Sequence, residues 1–428
     1  MIIIGKMRVK MILTKSRELP DSFFQANQKY LNWFAFFSIF PLIKIAGISI
    51  TFFLFLILSY IFLKNNKKLF RITSYTDIFL LLFLFFVFMS AVLTEDSYDN
   101  RSLLSIIKLT VQYVYWVILA LFIKTWIYRF DYLSLSKTIF YATIVSIIYY
   151  ATLNPFYSIF YPNSIAYTIV VSVPLSYYYM SQRFSLKTII FISIFFSVGM
   201  FFSGSRTGSA LLLVELILLI TLGHRNLKKI TYTLLILSIP TIMMLSMSIT
   251  ESDISKLKYY IADNIEIISP KIAHTLRMKE NLMERDKSLL ARKVQIQKGE
   301  RIFEQHPFFG VGIGNYTHYY IKLDIMSVSH WLRDDQVKEN RRSSQNTYLK
   351  IIAESGIFAI VSLLIVFILI LLKGFHTLIN VSKSKERTIF VPFTALILYG
   401  FILVTIQGAL FWLLLGLSLT LNNKRSTL

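Results

Sequence analysis

Arg206 lies in a segment where a positive charge is unexpected. The segment reads "FFSGSRTGSALLLVELI" over residues 201–217, with apolar runs on both sides of the arginine. A guanidinium group binds an anion through two parallel hydrogen bonds. Gly204 and Gly208 remove side-chain bulk around it, while Ser205 and Thr207 add hydroxyl groups. The segment therefore favours an anion-binding site; the alternative is an arginine that extends to lipid headgroups.

The other charged candidates carry less information by themselves. Arg292 lies in a polar stretch beside Lys293 and Lys298, where each of these residues is expected to be a solvated charge. Glu215 interrupts an apolar run, nine positions after Arg206. On a helix this separation is about half a rotation, so the two side chains do not share a face. We interpret Glu215 as a polar packing contact rather than a catalyst.

Several kinds of site have no support in the sequence. The chain has no cysteine, which excludes disulfides, thiol catalysis and cysteine metal sites. No phosphate-binding G-x-x-x-x-G-K-[ST] motif, H-E-x-x-H motif or D-x-D pair occurs. The glycines of "GVGIGNY" at 310–316 follow no strand of a βαβ unit, so they do not form a dinucleotide loop. We expect neither a cofactor nor a metal.

Composition indicates a membrane protein. The 428 residues are 55% hydrophobic, and the mean hydropathy is +0.60. Long apolar runs recur and strand-like alternation is weak, so the predicted fold class is all-α, with about twelve transmembrane helices. The net charge of +22 would suggest nucleic acid binding in a soluble protein. Here most basic residues fall in short loops, which is typical of cytoplasmic loops.

The apolar runs predict spans with both termini in the cytoplasm. The turn between the first two is expected near Ala46–Gly47. The predicted spans are 30–44, 47–63, 75–93, 103–123, 136–153, 163–180, 187–203, 208–223, 229–248, 352–373, 387–406 and 408–422. This division gives nine N-terminal helices within 1–249, an extracytoplasmic helical loop at 250–345, and three C-terminal helices within 346–428. The segment around Arg206 then faces outward.

The large loop has an internal order of its own. Amphipathic helices are expected at 252–268 and 284–305, the second containing Arg292. His306–Pro307 ends the second helix, because the residue before proline avoids helical geometry. A tight turn follows at 310–314, and Ser344 is expected to cap the next span.

Three segments together resemble the O-antigen ligase/polymerase family of bacterial membrane glycosyltransferases. They are "SGSRTGSALLL" (203–213), "ARKVQIQKGERIFEQHPFFGVGIGNY" (291–316) and "SSQNTYLKIIAESGIFAI" (343–360). The second is similar to the family's arginine helix and its His-Pro-x-x-Gly-Val-Gly turn. The third is similar to its His-Asn-Thr-Tyr-Leu entry into the next span. Their order along the chain also matches, over roughly 190–370, and the resemblance implies a GT-C-like helical fold.

The resemblance implies transfer of a glycan from an undecaprenyl-pyrophosphate lipid to an acceptor hydroxyl, outside the bacterial cytoplasmic (inner) membrane. Arg206 and Arg292 would bind the pyrophosphate without a metal ion, in a site with Gln345 as the third catalytic position. The residues expected to bind substrate are Ser205, Thr207, His306, His330, Asn346, Tyr348 and Glu354. The implied partners are the lipid-linked donor, a glycan or lipid A-core acceptor, membrane lipid, a chain-length regulator and a flippase.

One position departs from the family pattern. Gln345 stands where the family usually has a histidine that activates the acceptor hydroxyl. Glutamine can position a hydroxyl group but cannot act as a general base near neutral pH. Either leaving-group stabilisation is the main source of catalysis, or another group takes the proton. The candidates are His318, His330 and Glu354.

The leading hypothesis is therefore a polymerase that joins lipid-linked repeat units of O-antigen, capsule or exopolysaccharide. The alternative is a ligase of the same family that transfers finished chains to lipid A-core or to a protein. The departure at Gln345 counts against the ligase, since the histidine is a hallmark of ligases. A transporter or flippase is a hypothesis of a different class. The sequence argues against it, because no matching halves with broken helices are present.

Overall fold

The computed structural model describes part of the chain. The described residues are 19–40, 44–45, 48–66, 69–93, 103–157, 162–203, 205–223, 287–319, 344, 346–379, 384–401, 405–406 and 408–422. Within them the regular secondary structure is helical apart from the antiparallel pair β1 (Lys44–Ile45) and β2 (Ile48–Ser49), which lies on both sides of the predicted first turn. The predicted all-α fold class is confirmed.

The helices follow the predicted order. They are α1 (Asp21–Ile39), α2 (Ile50–Asn66), α3 (Tyr75–Leu93), α4 (Leu103–Trp126), α5 (Tyr132–Tyr157), α6 (Pro162–Arg183), α7 (Leu186–Ser203), α8 (Arg206–Gly223), α9 (Lys287–Gln305), α10 (Thr347–Ile379), α11 (Ser384–Tyr399) and α12 (Ala409–Leu419). Every predicted span except the ninth overlaps one of them. The ninth span (229–248) and the loop helix predicted at 252–268 lie outside the described residues.

Four helical segments in the described part of the chain are long and apolar enough to cross a membrane. They are Tyr75–Leu93, Ile106–Arg129, Tyr132–Tyr150 and Thr347–Phe375, and shorter apolar helices occur at Ile50–Asn65, Leu186–Met200 and Ala409–Leu419. The chain is thus a polytopic membrane protein. The exact number of spans and the division into three regions stay predictions.

Helices α6 and α12 form the interior of the bundle. Nearly every side chain of α6 from Ile165 to Met180 is buried, and so is every residue of α12 from Leu410 to Leu419. Because α6 faces protein rather than lipid, it tolerates serines and Pro174. Ser136 of α5 donates to the Leu175 carbonyl at 2.7 Å and accepts from the Tyr179 amide at 3.0 Å. This side chain satisfies backbone groups of α6 just after the proline.

A buried ion pair connects α3 with α4. Lys124 of α4 pairs with the Asp77 carboxylate in the first turn of α3, and both side chains are almost fully buried. The ammonium also donates to the Thr73 and Ser74 hydroxyls at 3.0 and 3.1 Å. At the far end of α3, the Ser90 hydroxyl donates to the Glu354 carbonyl of α10. Helix α3 thus joins the ion pair to the opposite end of the bundle.

Candidate active site

The start of α8 is held by Ser205. Its Oγ accepts a hydrogen bond from the Gly208 amide at 3.2 Å, which is the geometry of a helix N-cap. The same oxygen lies 3.3 Å from the Tyr399 hydroxyl at the end of α11. Arg206 is therefore the first residue of a capped helix, where the helix dipole adds partial positive charge. The side chains of Arg206 and Thr207 lie outside the described part of the structure.

The start of α10 is held by Asn346. Its Oδ1 accepts from the Tyr348 and Leu349 amides at 2.9 and 3.0 Å, so Asn346 is the N-cap. The expectation that Ser344 caps this helix is wrong. The Ser344 hydroxyl lies 3.0 Å from both the amide and the carbonyl oxygen of Asn346 and closes the turn before the helix. Gln345, between them, lies outside the described residues.

The two helix starts meet at one end of α11. The Thr347 amide donates to the Gly400 carbonyl at 2.7 Å, directly after the Tyr399 that contacts Ser205. The Tyr348 hydroxyl donates to the Ile397 carbonyl at 2.6 Å, which fixes α10 against α11. Residues far apart in the sequence are thus brought together, and the N-termini of α8 and α10 lie at the same end of the bundle.

The predicted turn packs into a break in α10. Backbone hydrogen bonds join Val311 to Ala353, Gly312 to Glu354, and Ile357 to Pro307, at 2.9 to 3.0 Å. These bonds replace the helical ones that α10 loses at Gly356, where φ is +74°.

Two glycines make this close approach possible. Gly310 and Gly356 both have positive φ, which favours glycine. A Cβ at Gly310 would lie 2.5 Å from the Ala353 oxygen, and one at Gly356 would lie 2.0 Å from the Phe308 oxygen. The glycine pattern of 310–314 therefore serves backbone packing.

Helix α9 lies against the start of α10. Its buried positions are Gln295, Lys298, Gly299 and Ile302, at helical spacing. An added Cβ at Gly299 would lie 2.3 Å from the Leu349 side chain, so the two helices are in close contact there. Position 292 comes seven residues earlier, about 10 Å along the helix axis. The Arg292 side chain itself is outside the described structure.

Tyr316 packs against α9. Its hydroxyl donates to the Gln295 carbonyl at 2.6 Å, and the Lys298 ammonium lies 5.0 Å from the ring centroid. Burial raises the pKa of Tyr316, and the negative charge of Glu354 adds to this shift. Burial lowers the pKa of Lys298 to about 8. Lys298 is only 1% exposed, so the expectation that it is a solvated charge is wrong.

Glu354 forms an ion pair with Lys350. Its carboxylate lies 3.9 Å from the Lys350 ammonium, one turn earlier in α10, and both residues are buried. Its backbone carbonyl accepts from Gly312 and from Ser90. These contacts give Glu354 a clear structural role beside the break in α10. Its use as a proton acceptor stays a hypothesis.

The histidines are distributed around the turn. His306 follows the end of α9, and its Nε2 lies 2.9 Å from the Tyr319 hydroxyl. That hydroxyl donates to the Gln305 side chain at 2.6 Å. His318 is exposed, and His330 is outside the described residues. Among the residues that are described, no three histidine or carboxylate side chains are grouped as a metal site requires. Independence from metal stays a prediction.

Sequence comparison finds one family match. A profile described as O-antigen ligase matches residues 191–364. The match covers less than half of the chain and supports the O-antigen ligase/polymerase family. The family includes O-antigen ligases and polymerases, which are membrane glycosyltransferase-like enzymes with lipid-linked glycan substrates. A search of curated proteins found no match. The resemblance seen in the three motif segments is confirmed.

The O-antigen ligase domain contains all three motif segments but ends before α11. Tyr399 and Gly400, which join the starts of α8 and α10, come from outside the matched range. The sequence analysis did not predict a role for these two residues, because a tyrosine and a glycine at the end of a helix do not by themselves indicate a functional site. It also missed Lys298 and Tyr316. The signal for Lys298 was present, since Gln295, Lys298 and Ile302 recur at helical spacing.

Proposed function

We propose that this O-antigen ligase family protein is a polymerase for lipid-linked polysaccharide repeat units. Its donor would be an undecaprenyl-pyrophosphate-linked oligosaccharide, and its product a longer glycan of O-antigen, capsule or exopolysaccharide. The main support is the meeting of the α8 and α10 starts at Tyr399–Gly400, with α9 packed on α10. The three family segments are thereby assembled at one end of a membrane bundle.

The chemistry fits a site rich in positive charge. The acceptor hydroxyl attacks the anomeric carbon of the donor, the bond from that carbon to the pyrophosphate oxygen breaks, and the lipid pyrophosphate leaves. Charge develops on the leaving pyrophosphate, and arginine guanidinium groups can stabilise it. Arg206 would contribute at the start of α8, where the helix dipole adds to its charge. Arg292 would contribute from α9.

The acceptor side of the site would be formed at the start of α10. Asn346 caps that helix, and the Ser344 side chain contacts the backbone of Asn346. In this proposal Gln345 orients the acceptor hydroxyl by hydrogen bonding. The released proton goes to His318, His330 or Glu354. To accept the proton, the Glu354 carboxylate would have to give up its ion pair with Lys350.

A ligase remains the second candidate, because the matching profile carries a ligase description. In that case the acceptor would be lipid A-core and the donor a finished chain. Gln345 favours the polymerase, since glutamine stands where the ligase histidine is expected. In both cases we propose the inner membrane as the location, cytoplasmic termini, and a site on the extracytoplasmic face. A flippase and a chain-length regulator would be functional partners.

Deletion of the gene followed by glycan profiling separates the candidates. Loss of a polymerase leaves lipid A-core that carries a single repeat unit. Loss of a ligase leaves polymer that is not attached to lipid A-core. Normal, fully attached glycan in the deletion strain would contradict both assignments. Complementation with the wild-type gene controls for effects on neighbouring genes.

A further inference from the structure

Lys350 is a buried cation in the first turn of α10. It is 7% exposed, and its backbone amide donates to the Asn346 carbonyl at 3.0 Å, as the first complete turn of a helix requires. The N-terminal end of a helix carries partial positive charge, so a cation there is electrostatically unfavourable. Burial adds the cost of removing an ammonium group from water. Helix packing alone would favour an apolar residue or a carboxylate at this position.

The ammonium group of Lys350 is incompletely satisfied by the protein. An ammonium group has three N–H donors. In the part of the chain that the structure describes, its one polar contact is with the Glu354 carboxylate at 3.9 Å, which is too long for a hydrogen bond. The buried Lys124, by contrast, donates to the Asp77 carboxylate and to two hydroxyl groups. Lys350 therefore retains N–H donors for a further acceptor.

This cation lies at the end of the bundle where the starts of α8 and α10 meet. Lys350 comes three residues after Thr347, about 4.5 Å along the helix axis. The Thr347 amide donates to the Gly400 carbonyl, beside the contact of Tyr399 with the start of α8. Arg206 is the first residue of α8, so it too is a cation at a helix N-terminus. A cation at each of two adjoining helix starts is unfavourable by itself and fits a site that binds an anion.

We propose that Lys350 binds the diphosphate group of the lipid-linked donor, as a further cation beside Arg206 and Arg292. The proposal rests on the function proposed above and adds a substrate-binding residue to the same site. A diphosphate group offers several anionic oxygens to the unused N–H donors and compensates the positive charge at the two helix starts. Because the diphosphate competes with Glu354 for the ammonium group, donor binding would also release the carboxylate that is one candidate proton acceptor.

The first test measures anion binding without turnover. Inorganic pyrophosphate should raise the unfolding temperature of purified full-length protein in detergent, because a ligand of the folded state stabilises it. Lys350→Met should weaken the affinity for pyrophosphate roughly 10- to 100-fold, the usual effect of losing a charge-assisted hydrogen bond. The concentration of pyrophosphate needed for a given rise in unfolding temperature measures this. Lys108→Met, the same change at an exposed lysine of α4, is the control and should respond as wild type.

A double substitution separates anion binding from a structural ion pair. Lys350→Met alone leaves the buried Glu354 carboxylate without this cation, which lowers stability whether or not the site binds an anion. Lys350→Met combined with Glu354→Gln removes both charges, so the unfolding temperature should recover while the response to pyrophosphate stays lost. A wild-type response to pyrophosphate in Lys350→Met, or its recovery in the double variant, would overturn the proposal.

The source of the anion is tested with a membrane phospholipid. Phosphatidylglycerol, added in mixed micelles in place of pyrophosphate, should not produce a shift in unfolding temperature that depends on Lys350. A Lys350-dependent shift equal to that with pyrophosphate would assign the cation to a phospholipid headgroup. That result would overturn its assignment to the donor.

Glycan transfer distinguishes failure of this proposal from failure of the proposed function. With a polyprenyl-pyrophosphate-linked donor, Lys350→Met should raise the KM for the donor roughly tenfold or more, and Lys108→Met should leave it unchanged. If wild type binds pyrophosphate through Lys350 but transfers no glycan, the proposed function fails and the anion site stands without it. If wild type transfers glycan and Lys350→Met keeps the wild-type KM and pyrophosphate response, only the role of Lys350 is rejected.

Discussion

Lys124 and Lys298 are each 1% exposed, yet they lie in different surroundings. The Lys124 ammonium pairs with the Asp77 carboxylate and also donates to the Thr73 and Ser74 hydroxyls. The Lys298 ammonium lies over the ring of Tyr316, near the turn that precedes α10. At the first site a negative charge neutralises the lysine and joins two helices. At the second, the lysine contacts an aromatic ring, on a helix that packs against the start of α10.

The difference indicates separate roles for the two ends of the bundle. A fully compensated ion pair holds helices together but offers no charge to a ligand. The N-termini of α8 and α10 lie at the other end, where helix dipoles add partial positive charge that would suit the pyrophosphate of the proposed donor. Substitutions at the first end should therefore change stability, and those at the second should change glycan transfer.

The largest expected effect is on stability, from Lys124→Met. This change leaves the Asp77 carboxylate buried without its ammonium partner, which should cost about 3–5 kcal/mol of unfolding free energy. Thermal unfolding in detergent measures it. Adding Asp77→Asn in the same chain should recover much of the loss, because no buried charge is left. An unchanged unfolding temperature in the single variant would show that this end does not depend on the ion pair.

Arg206→Ala and Arg292→Ala should each reduce glycan transfer by roughly 10²–10³-fold, the usual cost of removing a group that stabilises transition-state charge. The protein should remain in the membrane at wild-type levels. Polymer length in complemented deletion cells measures the effect. Arg183→Ala, an exposed residue at the end of α6, is the matched control. Normal polymer in both variants would rule out the assignment of pyrophosphate binding to these arginines.

Gly356→Ala should lower the free energy of unfolding by at least about 2 kcal/mol, because alanine is strained at positive φ and its Cβ would lie 2.0 Å from the Phe308 oxygen. Both unfolding temperature and transfer should fall. Gly408→Ala is the control, since an added Cβ there meets nothing closer than 3.5 Å. If the two variants have the same unfolding temperature and the same rate of transfer, the packing of the turn into the break in α10 contributes to neither stability nor transfer.

The smallest effect is expected from Gln345→His. If this position faces the acceptor, the imidazole can replace the amide, and transfer should stay within about threefold of wild type. Polymer in cells that carry the variant measures this. Loss of folded protein would instead indicate that Gln345 packs against its neighbours, and the acceptor role would then be wrong.

The helix order was predictable because lipid imposes long apolar segments, which are visible in sequence. Helix α9 was also predictable, from the helical spacing of its apolar residues. The turn after His306 was predictable from its closely spaced glycines, which are typical of backbone with positive φ. The contact of Ser205 with Tyr399 was not, since it joins residues far apart that carry ordinary side chains. Burial of Lys298 was missed for a different reason: its helical spacing with Gln295 and Ile302 was visible, but a lysine on a polar helix is usually solvated.

The choice between Ser344 and Asn346 as the helix cap shows a finer limit. Serine and asparagine are both favoured at helix N-caps, so residue preference alone could not decide which of the two positions caps α10. The structure decides it through the two backbone amides bound by Asn346. The Ser344 side chain instead contacts the amide and the carbonyl oxygen of Asn346.

The most direct test of the central claim is glycan transfer by purified protein in a metal chelator, with a polyprenyl-pyrophosphate-linked repeat unit as donor. Wild type should make polymer and release the lipid pyrophosphate, whereas Arg206→Ala and Arg292→Ala should make neither. Polymer from both arginine variants, or a strict requirement for an added divalent metal, would contradict the account.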